Sequence, residues 1–209
     1  MRKLKVLIGI ACFVIASLAG AQAPQEGRDY TLLTSPQPTD VAGKVEVIEF
    51  FSYMCPHCSH FDPVLSKWLK TLPKDVVFKR VPVIFRPQWE APARLYYALE
   101  TLGALDKLHA AAFDAIHVEN LNMSSDAVVI DWAVKHGFER KAFTDVYGSF
   151  AVQSKVTRAK QATGAYGISS VPALVVAGKY RTPESAPSFE ELLKGVDALI
   201  AKARSEQKR

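Results

Sequence analysis

The chain has 209 residues and a mass of 23.0 kDa, with 49% hydrophobic and 22% charged residues. That suffices for a real core in one domain, or one domain with an insertion, and it excludes a disordered or collagen-like chain. The formal charge is +5, and three cysteines are too few for a disulfide-rich scaffold.

Residues 1–21 read as a cleaved signal peptide. Arg2, Lys3 and Lys5 precede an apolar run from Leu7 to Leu18, too short for a comfortable membrane span. Ala19-Gly20-Ala21 offers a small-residue cleavage site, with Ala21-Gln22-Ala23 as an alternative. Cys12, inside the apolar run, is given no role. Without this segment 23 basic residues face 21 acidic ones, so the basicity belongs mostly to targeting and gives no reason to expect nucleic acid. Export places Cys55 and Cys58 in an oxidising compartment.

Tyr30 to Leu33 reads as an edge strand. Val45 to Phe51, β-branched and aromatic after the Gly43 turn, reads as a central strand covered on both faces. Helical spacing of Phe61, Val64, Leu65, Trp68 and Leu69 predicts a helix from Cys55 to Leu72, kinked at Pro63. Val76 to Phe85 alternates like a strand broken by Pro82. Helices are then expected at Arg94–Leu102, Leu105–His117, Ser125–His136, Arg140–Tyr147 and Ser149–Thr163. Strands at Ala173–Val176 and Lys179–Arg181, around an Ala177-Gly178 turn, precede a closing amphipathic helix, Phe189–Ala203. No linker flanks the helical block, which suggests an insertion within one α/β domain.

Cys55-Pro56-His57-Cys58 falls where the central strand hands over to a helix. As N-cap, Cys55 can accept from first-turn amides, and the helix dipole favours its thiolate. Pro56 suits the first helical position. Helical geometry puts the two cysteine Cα atoms roughly 5 Å apart, close enough for a disulfide. His57 adds a donor or a positive charge beside Cys55. Cys58 is expected to be buried and Cys55 to lie at the surface, next to apolar Phe51, Tyr53 and Met54. A Cys55 pKa depressed by about three units stabilises the dithiol form and raises the potential by roughly 90 mV, which makes an oxidant. A static disulfide closing so short a loop would restrain the unfolded chain little. Zinc would need further convergent ligands, and covalent haem would need His where Ser59 stands, so no metal or cofactor is expected.

The stretches Glu49-Phe50-Phe51-Ser52-Tyr53-Met54-Cys55-Pro56-His57-Cys58 and Val171-Pro172-Ala173-Leu174-Val175-Val176-Ala177-Gly178-Lys179-Tyr180 resemble the two signatures of the DsbA family of thiol:disulfide oxidases. Pro63 also resembles thioredoxins. The resemblance covers essentially the whole mature chain. It implies a thioredoxin-like domain (22–88 and 154–209) with an inserted all-helical domain (89–153). It further implies a periplasmic oxidase that donates a Cys55–Cys58 disulfide to unfolded exported proteins and is reoxidised by an inner-membrane DsbB-type protein. By resemblance the Val171–Pro172 bond is cis beside Cys55, with Val171 open to substrate backbone; an ordinary strand-entry proline is the plainer reading. Glu49 resembles an acidic residue that relays a proton to or from Cys58, against a plain reading as an edge-facing or water-contacting carboxylate. A disulfide isomerase or reductase and a non-enzymatic thioredoxin-fold binder are the rival functions. Only about 20 residues separate the cleavage site from the first strands, so a monomer is favoured over a dimeric isomerase with an added domain. His109, His117 and His136 are expected at the surface, His60 in solvent or a groove, and Tyr96, Tyr97, Phe113, Trp132 and Phe143 in the core.

Overall fold

The computed structural model describes residues 23–207. The expected signal segment lies outside them, as does Cys12. The described strands are β1 (Thr31–Leu32), β2 (Val45–Phe51), β3 (Val76–Pro82), β4 (Ala173–Val176) and β5 (Tyr180–Arg181). The helices are α1 (Pro56–Leu69), α2 (Glu90–Thr101), α3 (Leu105–His117), α4 (Asp126–Lys135), α5 (Arg140–Tyr147), α6 (Phe150–Ala165) and α7 (Phe189–Gln207). A 3-10 turn, Pro87–Trp89, leads into α2.

The strands form one mixed sheet in the order β1-β5-β4-β2-β3. β2 is its central strand, parallel to β3 and antiparallel to β4, and all seven of its residues are buried. Its two faces serve different layers. Val45 and Val47 pack with Phe61, Leu65 and Trp68 of α1 and with Leu193, Val196 and Leu199 of α7. Ile48 and Phe50 face the other way, onto Tyr166, Ile168 and Val175. Phe51, at the end of β2, joins a third apolar cluster built mainly by α2 to α6. The helical block thus meets the sheet where α1 begins.

Because β4 runs antiparallel beside β2, its entry residues Val171 and Pro172 come to the same end of the sheet as Cys55. The Val171–Pro172 peptide bond is cis. α1 starts at Pro56 and runs through Pro63 as a single element of 14 residues.

Candidate functional site

Cys55 caps α1 in extended conformation (φ −96°, ψ 117°), with Pro56 following as the first helical residue. Its own N–H donates to the Ser52 carbonyl at 3.1 Å, its C=O accepts from Ser59 N–H at 3.1 Å, and Ser52 Oγ accepts from Met54 N–H at 3.1 Å. The turn between β2 and α1 is therefore fixed before any tertiary contact is counted.

Cys55 and Cys58 are both free thiols. Cys55 is buried rather than superficial, at 8% exposure, but Cys58 is sealed at 0%, so of the two only Cys55 reaches solvent. Phe51 (0%) and Tyr53 (1%) turn inward instead of forming an apolar apron beside it. Both rings pack edge-on in a group with Tyr96, His109 and Phe113. Met54 is half-buried, and Pro56 and His57 are exposed.

The Cys55 thiol donates to the Val171 carbonyl at 3.4 Å, across the cis bond. The Cys58 thiol favours the Cys55 anion most. Burial opposes it, the amides of Cys58 and His57 assist, and the His57 side chain contributes last, leaving the Cys55 pKa at about 6. No first-turn amide makes a full capping hydrogen bond to the sulfur, so the expected cap acts only as a directed field. Burial pushes the Cys58 thiol far above its ordinary value, reinforced by Cys55 and, at longer range, by Glu49.

Beneath Cys58 lies a buried charged group. Register pairs Glu49 of β2 directly with Arg80 of β3, and Arg80 Nε donates to Glu49 Oε2 at 2.8 Å. The same guanidinium donates to Asp62 Oδ1 of α1 at 3.1 Å. Glu49 is 2% exposed and so does not face bulk solvent. Burial raises its pKa to about 7, against the pull of Arg80.

Sequence reasoning missed Asp62, Arg80 and His109. Asp62 stands four residues after Cys58 on a buried helix face, and Arg80 sits on a strand that pairs with β2. Both signals were readable only with the register in hand. His109 is buried, contrary to expectation, among aromatic rings on α3. His117 is half-buried, with its Nε2 2.8 Å from the Tyr53 carbonyl. His60 and His136 are exposed, and the five aromatics expected in the core are there.

A groove of about 580 Å³ opens beside Pro172, lined by His57, Val171, Pro187 and Leu192 among others. Among the described residues no group of three or more metal-ligating side chains occurs, and no helix is long and apolar enough to cross a membrane.

The family model of the DSBA-like thioredoxin domain matches residues 74–195. The chain is 39% identical to the thiol:disulfide interchange protein DsbA of Azotobacter vinelandii, over 99% of this chain and all of that protein. It is 38% identical to DsbA of Pseudomonas aeruginosa, over 97% of this chain and 99% of the other. The crystal structure of Pseudomonas aeruginosa DsbA superposes with a TM-score of 0.83 at 38% identity, covering 88% of this chain and 96% of that one. The Xylella fastidiosa DsbA oxidoreductase gives 0.82 at 30% identity, covering 88% and 99%. The chain belongs to the DsbA-like thioredoxin family and is a thiol:disulfide oxidoreductase.

Proposed function

We propose that this oxidoreductase works as an oxidase in the periplasm, donating a Cys55–Cys58 disulfide to unfolded exported proteins. The asymmetry of the two thiols carries this reading: one sulfur prefers its anion and meets solvent, and the other is sealed and prefers its proton. A substrate thiolate attacks Cys55 of the disulfide. The S–S bond breaks, its electron pair goes to Cys58, and Cys58 takes up a proton. Substrate and Cys55 now share a mixed disulfide. A second substrate thiolate attacks its own sulfur there, and Cys55 leaves as a stable thiolate. The substrate loses two electrons and the protein gains them as a dithiol.

His57 and Pro56 shape the field at Cys55. Val171, whose carbonyl lies 3.4 Å from the Cys55 sulfur, and Pro172 offer backbone for an extended substrate, and the neighbouring groove gives that substrate room. Glu49, in electrostatic reach of Cys58, exchanges the proton. Reoxidation falls to an inner-membrane DsbB-type protein. The protein acts as a monomer without metal or cofactor, and residues 89–153 form an insertion in the thioredoxin-like domain.

The test is equilibration with glutathione buffers, together with oxidation of a reduced two-cysteine peptide. The expected result is a readily reduced disulfide and peptide oxidation that Cys55→Ser abolishes. A disulfide that resists glutathione, or oxidation that survives Cys55→Ser, would overturn the reading and favour a binding module.

A further inference from the structure

The buried charges beneath Cys58 do not end at Asp62. His109 Nε2 lies 3.3 Å from Asp62 Oδ1, and His109 Nδ1 lies 2.7 Å from the Tyr53 hydroxyl. A carboxylate only accepts, so neutral His109 carries its proton on Nε2 and takes the Tyr53 O–H at Nδ1. Burial holds Tyr53 protonated, with its pKa well above the usual value. Along the series Tyr53 donates to His109, His109 Nε2 stands beside Asp62, and Arg80 donates to both Asp62 and Glu49. The link from Nε2 is loose, since its alignment falls short of a formed hydrogen bond.

We infer that His109 is a positioning residue of the thiol–disulfide reaction: through Asp62 it sets how the buried Arg80 guanidinium is divided between Asp62 and Glu49. The inference rests on the roles proposed above for Cys58 and Glu49. One cation serves two buried carboxylates, so whatever else satisfies Asp62 leaves more of Arg80 for Glu49. When the disulfide is attacked, the proton on Glu49 passes to the departing Cys58 sulfur, and Glu49 is left ionised beside Arg80. The better Arg80 holds that carboxylate, the more readily the proton is given up. The groups around His109 are Tyr53 ahead of α1, Asp62 on α1, Arg80 on β3 and Tyr96 on α2, with Glu49 on β2 behind Arg80. Burial is the main influence on His109 itself and lowers its pKa, which keeps the imidazole neutral in its donor form.

The experiment follows single-turnover oxidation of a reduced two-cysteine peptide by the disulfide form of the protein, between about pH 5 and 9. Glu49→Gln is expected to remove one inflection from the profile, which identifies it. His109→Leu leaves Asp62 with Arg80 alone, so the inflection moves up by about half a pH unit or more. His109→Gln, whose amide can still donate to Asp62, brings it back toward the parent value. Asp62→Asn frees Arg80 for Glu49 and moves the inflection down; this second variant can still overturn the inference if His109→Leu does not fold. Coincident profiles for the parent and His109→Leu, or for the parent and Asp62→Asn, would overturn the inference while leaving the oxidase reading standing. So would an inflection that survives Glu49→Gln. An inactive parent protein, or oxidation that persists in Cys55→Ser, would instead bring down the oxidase reading.

Discussion

Cys55 feels opposing influences, and their sizes decide the chemistry. The neighbouring Cys58 thiol outweighs burial, and the pKa falls to about 6. How much potential this yields depends on pH. Three units are worth about 4 kcal/mol, or roughly 90 mV, only where an ordinary thiol would also be ionised, above about pH 9. At pH 7 only the last unit counts, about 1.4 kcal/mol or roughly 30 mV, and screening by water at the sulfur trims that further. Because Cys58 outranks His57, Cys58→Ala is expected to raise the Cys55 pKa more than His57→Ser does, as read by thiolate absorbance. The reverse order would assign the field to the histidine. Arg80 carries a different kind of weight. Arg80→Met strands Glu49 and Asp62 without their buried cation and is expected to cost about 3–5 kcal/mol in urea unfolding at pH 8. A loss under about 1 kcal/mol would mean that the two carboxylates are already neutral or solvated.

Local pattern reached the elements well where they are buried on one regular period. β2 and α3 have the boundaries that β-branched and aromatic content and helical spacing gave. Ends were harder. α2 begins at Glu90, four residues before the expected Arg94, because Pro92 fits within a first turn whose N–H groups need no partner. β3 stops at Pro82, which cannot donate to a ladder. α7 runs past Ala203 to Gln207, where Tyr180 and Lys179 donate to Glu206. The turn between β4 and β5 has a sharper requirement. Gly178 has φ +63° and packs its α-carbon against the Gln37 backbone, so an added Cβ collides with main chain. Gly178→Ala is expected to cost about 2 kcal/mol or more in thermal or urea unfolding. A change within about 0.5 kcal/mol would show that the Gln37 arm moves away freely. What the pattern could not deliver was the charged group under the site. Glu49, Arg80, Asp62 and His109 come from four elements with no shared period; the β2–β3 register joins the first two, and the packing of α1 and α3 brings in the others.

The folded protein as a whole responds to the redox state of this one sulfur. A depressed pKa adds stability to the dithiol form that is complete above about pH 9 and fades as pH falls through about 6. The disulfide form has no such dependence, and its short loop contributes an offset that does not vary with pH. Between pH 5.5 and 8.0 the stability of the dithiol form relative to the disulfide form is therefore expected to rise by up to about 2.5 kcal/mol. Paired melting curves across that range check it, and a constant gap would contradict a shifted thiol. The most direct test is the titration of Cys55 in the reduced protein, followed by thiolate absorbance with Cys55→Ser as the blank. A midpoint near 6 is expected. A midpoint near 8.5, that of an unperturbed cysteine, would remove the reason for this protein to give up its disulfide.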